Sequence, residues 1–493
     1  MTGDPAQRRP LIAGLCRRLW LASRAGGAEW LAALVCLVVY GLTLVPEVGW
    51  GDPAELALQA HQLGVTHPPG YPMHTILGWL FGLLIPDPAL ATNLLSAVCT
   101  ALAVGVLAAL ARRLTGDACA GLAAGLIFGL SPQVWEAAVK TEVYNVNMLV
   151  LAVALALVVA WHRRPIRGRL GLGALAFGLS LGSYLANLLV APGLAFLIWW
   201  PRRRPGQVAL FLAVSALVGG LLLSWSYWRA GAAPPIGVAE IPDSPARFLS
   251  FLAGGQYGAL RVHSPRFYLG RCVDHGLLFA GGFAWLGAAL GLVGLARQWQ
   301  RERALAVGLL GAFALNIGYF TGYTASDYYT MVTPSYFIFS LWVAYGVQEL
   351  AGRAGRLRVR PLAVVAPLAV VGALVATQAG ARVARSQSRQ VTDFCLSSFA
   401  TFPANATVIA RWGRYAPLVY FQRTQGLRPD VTLVERSDSP RAYPWGVVSD
   451  WRAHACAAAA RGPVVSDDAD LRAPEGCRVV PLGPYWHQIT CPP

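Results

Sequence analysis

Three stretches of this chain, Trp30–Leu44, Met148–Trp161 and Val208–Leu223, contain no charged side chain. A helix that crosses the hydrocarbon core of a bilayer needs about 20 predominantly apolar residues, and segments of this kind recur along most of the 493 residues. Charged residues make up 13% of the chain, roughly half of the ~25% usual in soluble domains. A soluble cytoplasmic enzyme, a disordered chain, a collagen and a coiled coil are therefore excluded. The pattern predicts an all-α polytopic membrane protein. Its spans fall near 28–46, 92–111, 118–136, 146–162, 170–184, 186–200, 207–228, 274–296, 303–323, 331–350 and 361–380, eleven in all.

The net charge of +16 invites a nucleic-acid partner, but its distribution does not. With the N-terminus cytoplasmic, 21 basic residues before position 361 fall on the inner side and 6 on the outer. The positive-inside rule accounts for most of the excess, and no nucleic acid is expected. The short apolar segment His74–Ile85 is placed at the outer interface, because reading it as a span would turn Arg112 and Arg113 outward. The N-terminal apolar stretch is span-length and reads as a signal anchor rather than a cleaved leader. The expected location is the cell membrane, as an integral protein with its C-terminal domain extracytoplasmic.

Composition shifts near Ala384, which divides the chain into a membrane part, 1–383, and a small extracytoplasmic α/β domain, 384–493. Thr407–Ala410 and Val431–Glu435 read as strands, and Tyr415–Gln425 between them as a helix ended by Gly426. No phosphate-cradling glycine motif or nucleophile elbow occurs there. Asn405-Ala406-Thr407 is a glycosylation sequon. Cys395, Cys456, Cys477 and Cys491 permit two disulfides; at least one is expected, and Cys477–Cys491 closes the shortest loop.

The spans hold almost no ionisable residues, which argues against an ion-coupled transporter. Polar residues concentrate in the outer loops instead. Asp52-Pro53-Ala54-Glu55 reads as a helix start, with Asp52 as N-cap, Pro53 first and Glu55 third. The same mounting would also hold a general base rigidly at the water–lipid boundary, and both readings stand. His67-Pro68-Pro69-Gly70-Tyr71-Pro72 is a stiff corner. A metal site from His61, His67, His74 and Asp52 matches no common ligand spacing, so neither a metal nor another cofactor is expected. Lys140 is the only lysine among 40 basic residues; it is either an interfacial anchor or, beside Glu142, a phosphate contact. Tyr144, Tyr257, Tyr328 and Tyr329 suit an interfacial belt or sugar platforms.

Several of these segments resemble one membrane family. Gly51–Glu55, Leu63–Pro72, Asn93–Ala97 and Thr141–Asn147 carry the resemblance, with Gly178–Gly182, Gly254–Tyr257, and Asp327 with Pro334 as weaker matches. The family's bacterial members were long catalogued as a domain of unknown function. Its animal member, transmembrane protein 260, is an O-mannosyltransferase acting on receptor ectodomains. The likeness covers about residues 29–350. Two departures stand out: the family's Asp-Ser-Gly-Glu is here Asp52-Pro53-Ala54-Glu55, and a position often occupied by histidine is Tyr184.

The resemblance implies a C-type glycosyltransferase fold and a sugar, mannose by likeness alone, taken from a polyprenyl-phosphate donor. Transfer would be to a hydroxyl acceptor (protein Ser/Thr, lipid or glycan) on the outer face, with lipids as surroundings. It implies an essential acidic residue in the first outer loop, and the mechanism expected here is inverting transfer with Asp52 as general base and Glu55 positioning the hydroxyl or replacing the base. Lys140, Arg229 or Arg261 would face the leaving phosphate. His67, Tyr71, Glu142, Tyr144, Asn147, Gln256, Tyr257 and Asp327 would contact sugar or acceptor. The competing class is a non-catalytic lipid-carrier flippase or a structural membrane module; the apolar spans offer little polar path for the former.

Overall fold

The computed structural model describes residues 27–260, 264–325, 327–357, 359, 361–443, 446–468 and 478–490. Arg261 and the Cys477–Cys491 pair lie outside these residues.

The chain enters with α1 (Ala28–Leu42), followed by the short α2 (Asp52–His61) and α3 (Pro72–Gly82). The longest helix, α4 (Pro88–Thr115), starts where Asp87 accepts the Leu90 amide at 3.0 Å and stops at Gly116, whose φ is 72°. Arg112 in its last turn complements the helix dipole and pairs with Glu29 of α1 at 2.9 Å. α5 (Ala118–Gly129) and α6 (Pro132–Ala138) meet at a 67° bend, where Pro132 cannot continue the preceding hydrogen-bond ladder. α7 (Val143–Arg163) packs on both α4 and α8 (Arg167–Ser183). A 3-10 turn, Leu185–Leu189, leads into α9 (Ala191–Trp199), then α10 (Pro205–Arg229) and α11 (Pro245–Ala253). α12 (Pro265–Gly282) and α13 (Leu286–Arg301) are bent by 105° at Ala284 and Trp285, both with positive φ. α14 (Arg303–Thr321), the one-turn α15 (Tyr328–Met331), α16 (Thr333–Arg356) and α17 (Leu362–Ser386) complete the bundle.

Helix or broken helix stands at each of the eleven expected positions, but the spans are not uniform. Among the described residues, five helices are long and apolar enough to cross a membrane, or seven if each bent pair counts as one span. The shortfall has physical causes. α9 has nine residues, a rise of only ~14 Å at 1.5 Å per residue, about half of a ~30 Å hydrocarbon core. α16 is long, but Pro334–Val347 are buried from end to end, so it meets protein rather than lipid and need not be apolar. The His74–Ile85 segment forms α3, eleven residues long, and is not a span.

α13 and α16 approach so closely that only hydrogen fits between them. A Cβ on Gly294 would lie 1.7 Å from the Trp342 carbonyl oxygen, and one on Gly346 2.0 Å from that of Leu290. Since backbone cannot step aside as a side chain does, Gly294→Ala is expected to lower stability by about 3 kcal/mol, the upper end of overpacking costs. Thermal unfolding in detergent reads this, with Gly372→Ala, which meets open space, as the neutral control.

Beyond α17 the chain forms α18 (Gln390–Thr401), β1 (Thr407–Ala410), α19 (Trp412–Gln425), β2 (Thr432–Glu435), β3 (Arg441–Tyr443), β4 (Gly446–Val448), α20 (Trp451–Ala459), β5 (Val464–Ser466), β6 (Arg478–Leu482) and β7 (Trp486–Thr490). The five-stranded sheet has order β2-β1-β5-β7-β6, and β3-β4 is a separate hairpin. β1 is parallel to β2 and β5; β7 is antiparallel to β5 and β6. The expected strand–helix–strand unit is present, and Gly426 ends its helix with φ 67°. Cys395 and Cys456 are free thiols.

This layer is bound to the first loop. Its core includes Val48, Ala54, Ala57 and Leu58 beside Val408, Tyr415 and Leu418. Glu47 accepts the Val391 amide (3.2 Å) and the Thr392 amide and hydroxyl (both 2.8 Å). A carboxylate thus satisfies the orphan donors at the start of α18.

Candidate active site

Gly51, with φ 67°, is the N-cap of α2, and Asp52 is its first helical residue with no side-chain cap bond. The capping role expected of Asp52 is therefore corrected: glycine reaches the left-handed backbone at no steric cost, which frees the carboxylate. Asp52 Oδ1 instead accepts the indole N–H of Trp412 at 2.5 Å. Trp412 sits in a slot where a Cβ on Gly237 would come within 2.2 Å of its ring and one on Gly51 within 3.3 Å. With Oδ1 held by the indole, Asp52 lines a cavity of about 470 Å³.

Glu55, three residues on, is fully buried behind this surface. It accepts the His67 amide at 2.6 Å, and its second oxygen contacts His67 Nδ1. Burial pulls the imidazole toward its neutral form, but the charges of Glu55 and Asp52 outweigh it and push the His67 pKa from 6.5 up to about 9. The stiff corner fixes this ring: Gly70 N–H donates to the His67 carbonyl at 2.8 Å, and Tyr71 N–H to the Thr66 hydroxyl at 2.9 Å. His67 lines the cavity and is the one cationic side chain among its described lining residues.

Asp327, just before α15, lines the same cavity. Burial and the nearby Asp52 charge raise its pKa above the ordinary carboxylate value. Tyr71, Tyr144, Tyr184 and Tyr257 add aromatic wall, while Leu185, Leu188, Leu189 and Leu252 make the rest apolar. Tyr184 lies in the middle of this wall, stacked on Tyr71 at 6.5 Å and edge-on to Tyr144 at 5.4 Å. The cavity therefore offers a carboxylate, a cation, aromatic faces and a greasy floor in one place.

Other expected residues lie elsewhere. Lys140 is paired with Glu142 at 3.0 Å and Glu136 at 3.8 Å, so its charge is already matched; neither it nor Glu142 lines the cavity. Asn147 accepts from Asn187 at 2.6 Å, a bond between buried side chains of the bundle. Gln256 accepts the Ala239 amide at 3.1 Å. Arg229 donates to the carbonyls of Leu63 (2.9 Å) and Gln62 (3.2 Å); it satisfies the carbonyls left open past the end of α2 and does not face the cavity. Among the described residues no group of three or more His, Cys, Asp or Glu is arranged to hold a metal ion. Trp412 is the residue that sequence reasoning missed. Its only local signal is its place directly after β1, where chemistry-bearing residues of α/β layers gather.

Residues 52–207 match the family model described as the Protein O-mannosyl-transferase TMEM260 N-terminal domain. The TMEM260 protein of Mus musculus is 34% identical over 168 residues, 33% of this chain and 24% of the mouse protein. That of Dictyostelium discoideum is 33% identical over 134 residues, 26% of this chain and 16% of the relative. The matched part is thus a minor share of those longer proteins. Among solved structures, ArnT from Cupriavidus metallidurans bound to undecaprenyl phosphate superposes with a TM-score of 0.60 at 15% identity, covering 94% of this chain and 98% of ArnT. Its apo form gives 0.58, covering 90% and 93%. Residues 52–207 are thus similar to the N-terminal domain of the TMEM260 family, and the chain as a whole shares its fold with ArnT.

Proposed function

We propose that this protein is a membrane glycosyltransferase that moves a sugar, mannose by its relatives, from a polyprenyl-phosphate donor to a hydroxyl acceptor. The reading is carried by one observation: Asp52 and His67, opposite in charge, face a single cavity whose remaining wall is aromatic and aliphatic. The apolar part suits the first isoprene units of the donor, and the tyrosines suit its sugar.

In this mechanism Asp52 takes the proton of the acceptor hydroxyl as that oxygen bonds to the anomeric carbon. The bond from that carbon to the phosphate oxygen breaks, and its electron pair leaves with the polyprenyl phosphate, so configuration inverts. The His67 imidazolium, held by Glu55, stabilises the charge that develops on the phosphate. This assigns to His67 the role expected of Lys140, Arg229 or Arg261. Asp327, with its raised pKa, positions the sugar. Sidedness follows from the arginine distribution: the cavity and the α/β layer lie outside, the N-terminus inside.

The test is direct. Purified protein in nanodiscs, given polyprenyl-phosphate mannose with a labelled sugar, should release polyprenyl phosphate and label a hydroxyl acceptor; movement of intact donor between leaflets without release would overturn the proposal. In intact cells, a variant keeping only the exposed Cys456 should react with a membrane-impermeant maleimide. Labelling only after lysis would invert the topology.

A further inference from the structure

Four strands deliver their ends to one edge of the C-terminal sheet. β1, β2 and β5 are parallel, so their carboxyl ends lie together, and β7, antiparallel to β5, begins beside them. The residues just beyond those ends are Arg411, Arg436, and Asp467 with Asp468, and Tyr485 immediately precedes β7. All of them line one open cleft of about 1100 Å³, closed by Asp393 and Phe394 of α18 and by Trp50 of the first loop. The chain leaves β1 for β2 on one side and returns past β1 to β5 on the other. The crevice outside the carboxyl ends at such a reversal is where open α/β sheets bind ligands.

The lining selects the ligand. The Asp467 side chain, 2% exposed, accepts the Arg411 amide at 3.2 Å and lies 3.2 Å from Arg436 Nε and 3.6 Å from Arg414 Nη1. The Arg436 side chain, 7% exposed, also pairs with Asp468. These planar groups are therefore fixed before any ligand arrives. Arg411, Arg414 and Arg436 are matched by Asp393, Asp467 and Asp468, so the cleft offers donors and acceptors side by side and no net charge for a polyanion or polycation. Trp50 and Tyr485 are 40% and 45% exposed, and each meets Phe394 edge to face, at 5.1 and 5.3 Å. Electron-rich ring faces beside paired planar hydrogen-bonding groups fit the C–H faces and vicinal hydroxyls of a sugar.

We propose that this cleft is a binding site for a neutral carbohydrate chain. Arg411 and Gly413 line it on either side of Trp412 in sequence, and the Trp412 indole is the donor to Asp52. The cleft and the cavity therefore flank a single residue. What the ligand does rests on the glycosyltransferase reading: a sugar already carried by the acceptor is held here while a hydroxyl reaches Asp52. The binding itself stands without that reading.

The experiment is saturation-transfer NMR on the full chain in nanodiscs, with millimolar mannobiose and maltose as neutral probes and glucuronic acid as the charged one. A neutral disaccharide should receive saturation, and Arg411→Ala/Tyr485→Ala should cut it at least about fivefold, as loss of a hot-spot pair does. Asp393→Ala, on the exposed face of α18, supplies the second variant should the first unfold. Asp52→Asn should bind as wild type does. Absence of saturation from both neutral probes, an undiminished signal in the folded variants, or preference for glucuronic acid would overturn the proposal. Failure of the catalytic reading would show separately, as sugar transfer by Asp52→Asn.

Discussion

Asp52→Asn should leave the protein folded and inserted while slowing sugar transfer by about 10²–10⁴-fold, the usual contribution of a positioned general base. The substitution is nearly isosteric, and an amide oxygen accepts the Trp412 N–H as the carboxylate does, so the slot between Gly51 and Gly237 stays filled. What is lost is the proton acceptor. Donor binding should change little, so the deficit should fall on kcat. Trp412→Phe is the companion. It keeps an aromatic ring in the slot, though a smaller one, and removes one hydrogen bond to a charged group, worth about 1.5–3 kcal/mol, so a smaller rate loss is expected with the fold intact. Full activity in Asp52→Asn, measured as polyprenyl phosphate release, would remove Asp52 from the chemistry.

Glu55→Ala should be the most damaging single change to stability near the site. It strips the partner from a histidine held beneath the first loop, and breaking a buried ion pair by removing one member costs about 3–5 kcal/mol. Thermal unfolding in detergent measures it. Glu55→Gln keeps an acceptor for the His67 amide but withdraws the charge that holds the imidazolium. The pH dependence has a definite sign. A group whose pKa rises on folding, here from 6.5 to about 9, stabilises fully below the unfolded value, and that stabilisation is lost as pH climbs through the folded one. The wild type should therefore lose stability and transfer rate as pH rises through about 9. In Glu55→Gln the alkaline limb should move toward neutrality.

Much of the architecture was legible because it rests on composition and period. The uncharged runs placed helices at every expected position, and alternating strand and helix signals placed β1, α19 and β2 to within a few residues. Span length was less legible, since hydropathy does not report a 105° break at Ala284–Trp285 or a 3-10 turn at Leu185. Within the site, Asp52, His67, Tyr71, Tyr144, Tyr257 and Asp327 do line one cavity. Two of the three expected cations, Lys140 and Arg229, do not line the cavity, for a physical reason. Loop position says that a residue is on the right side of the membrane, not that its charge is unspent, and Arg229 is spent on the carbonyls at the end of α2. Helix-cap rules likewise did not anticipate that a left-handed glycine would take the cap and release Asp52. The Trp412 contact could not be read from the sequence, because it joins residues 360 positions apart; only the place of Trp412 just after β1 pointed to it.

That separation bears on biogenesis. Glu47 is anchored to residues 344 and 345 positions later, and Asp52 acquires its indole partner later still in synthesis. While the ribosome is still at work on the last hundred or so residues, the entrance loop has neither tether. Contacts of such long range form late because loop closure must be met first. On the proposed mechanism, a chain threaded into the bilayer gains its hold on Asp52 only when the segment carrying Trp412 folds back over its beginning.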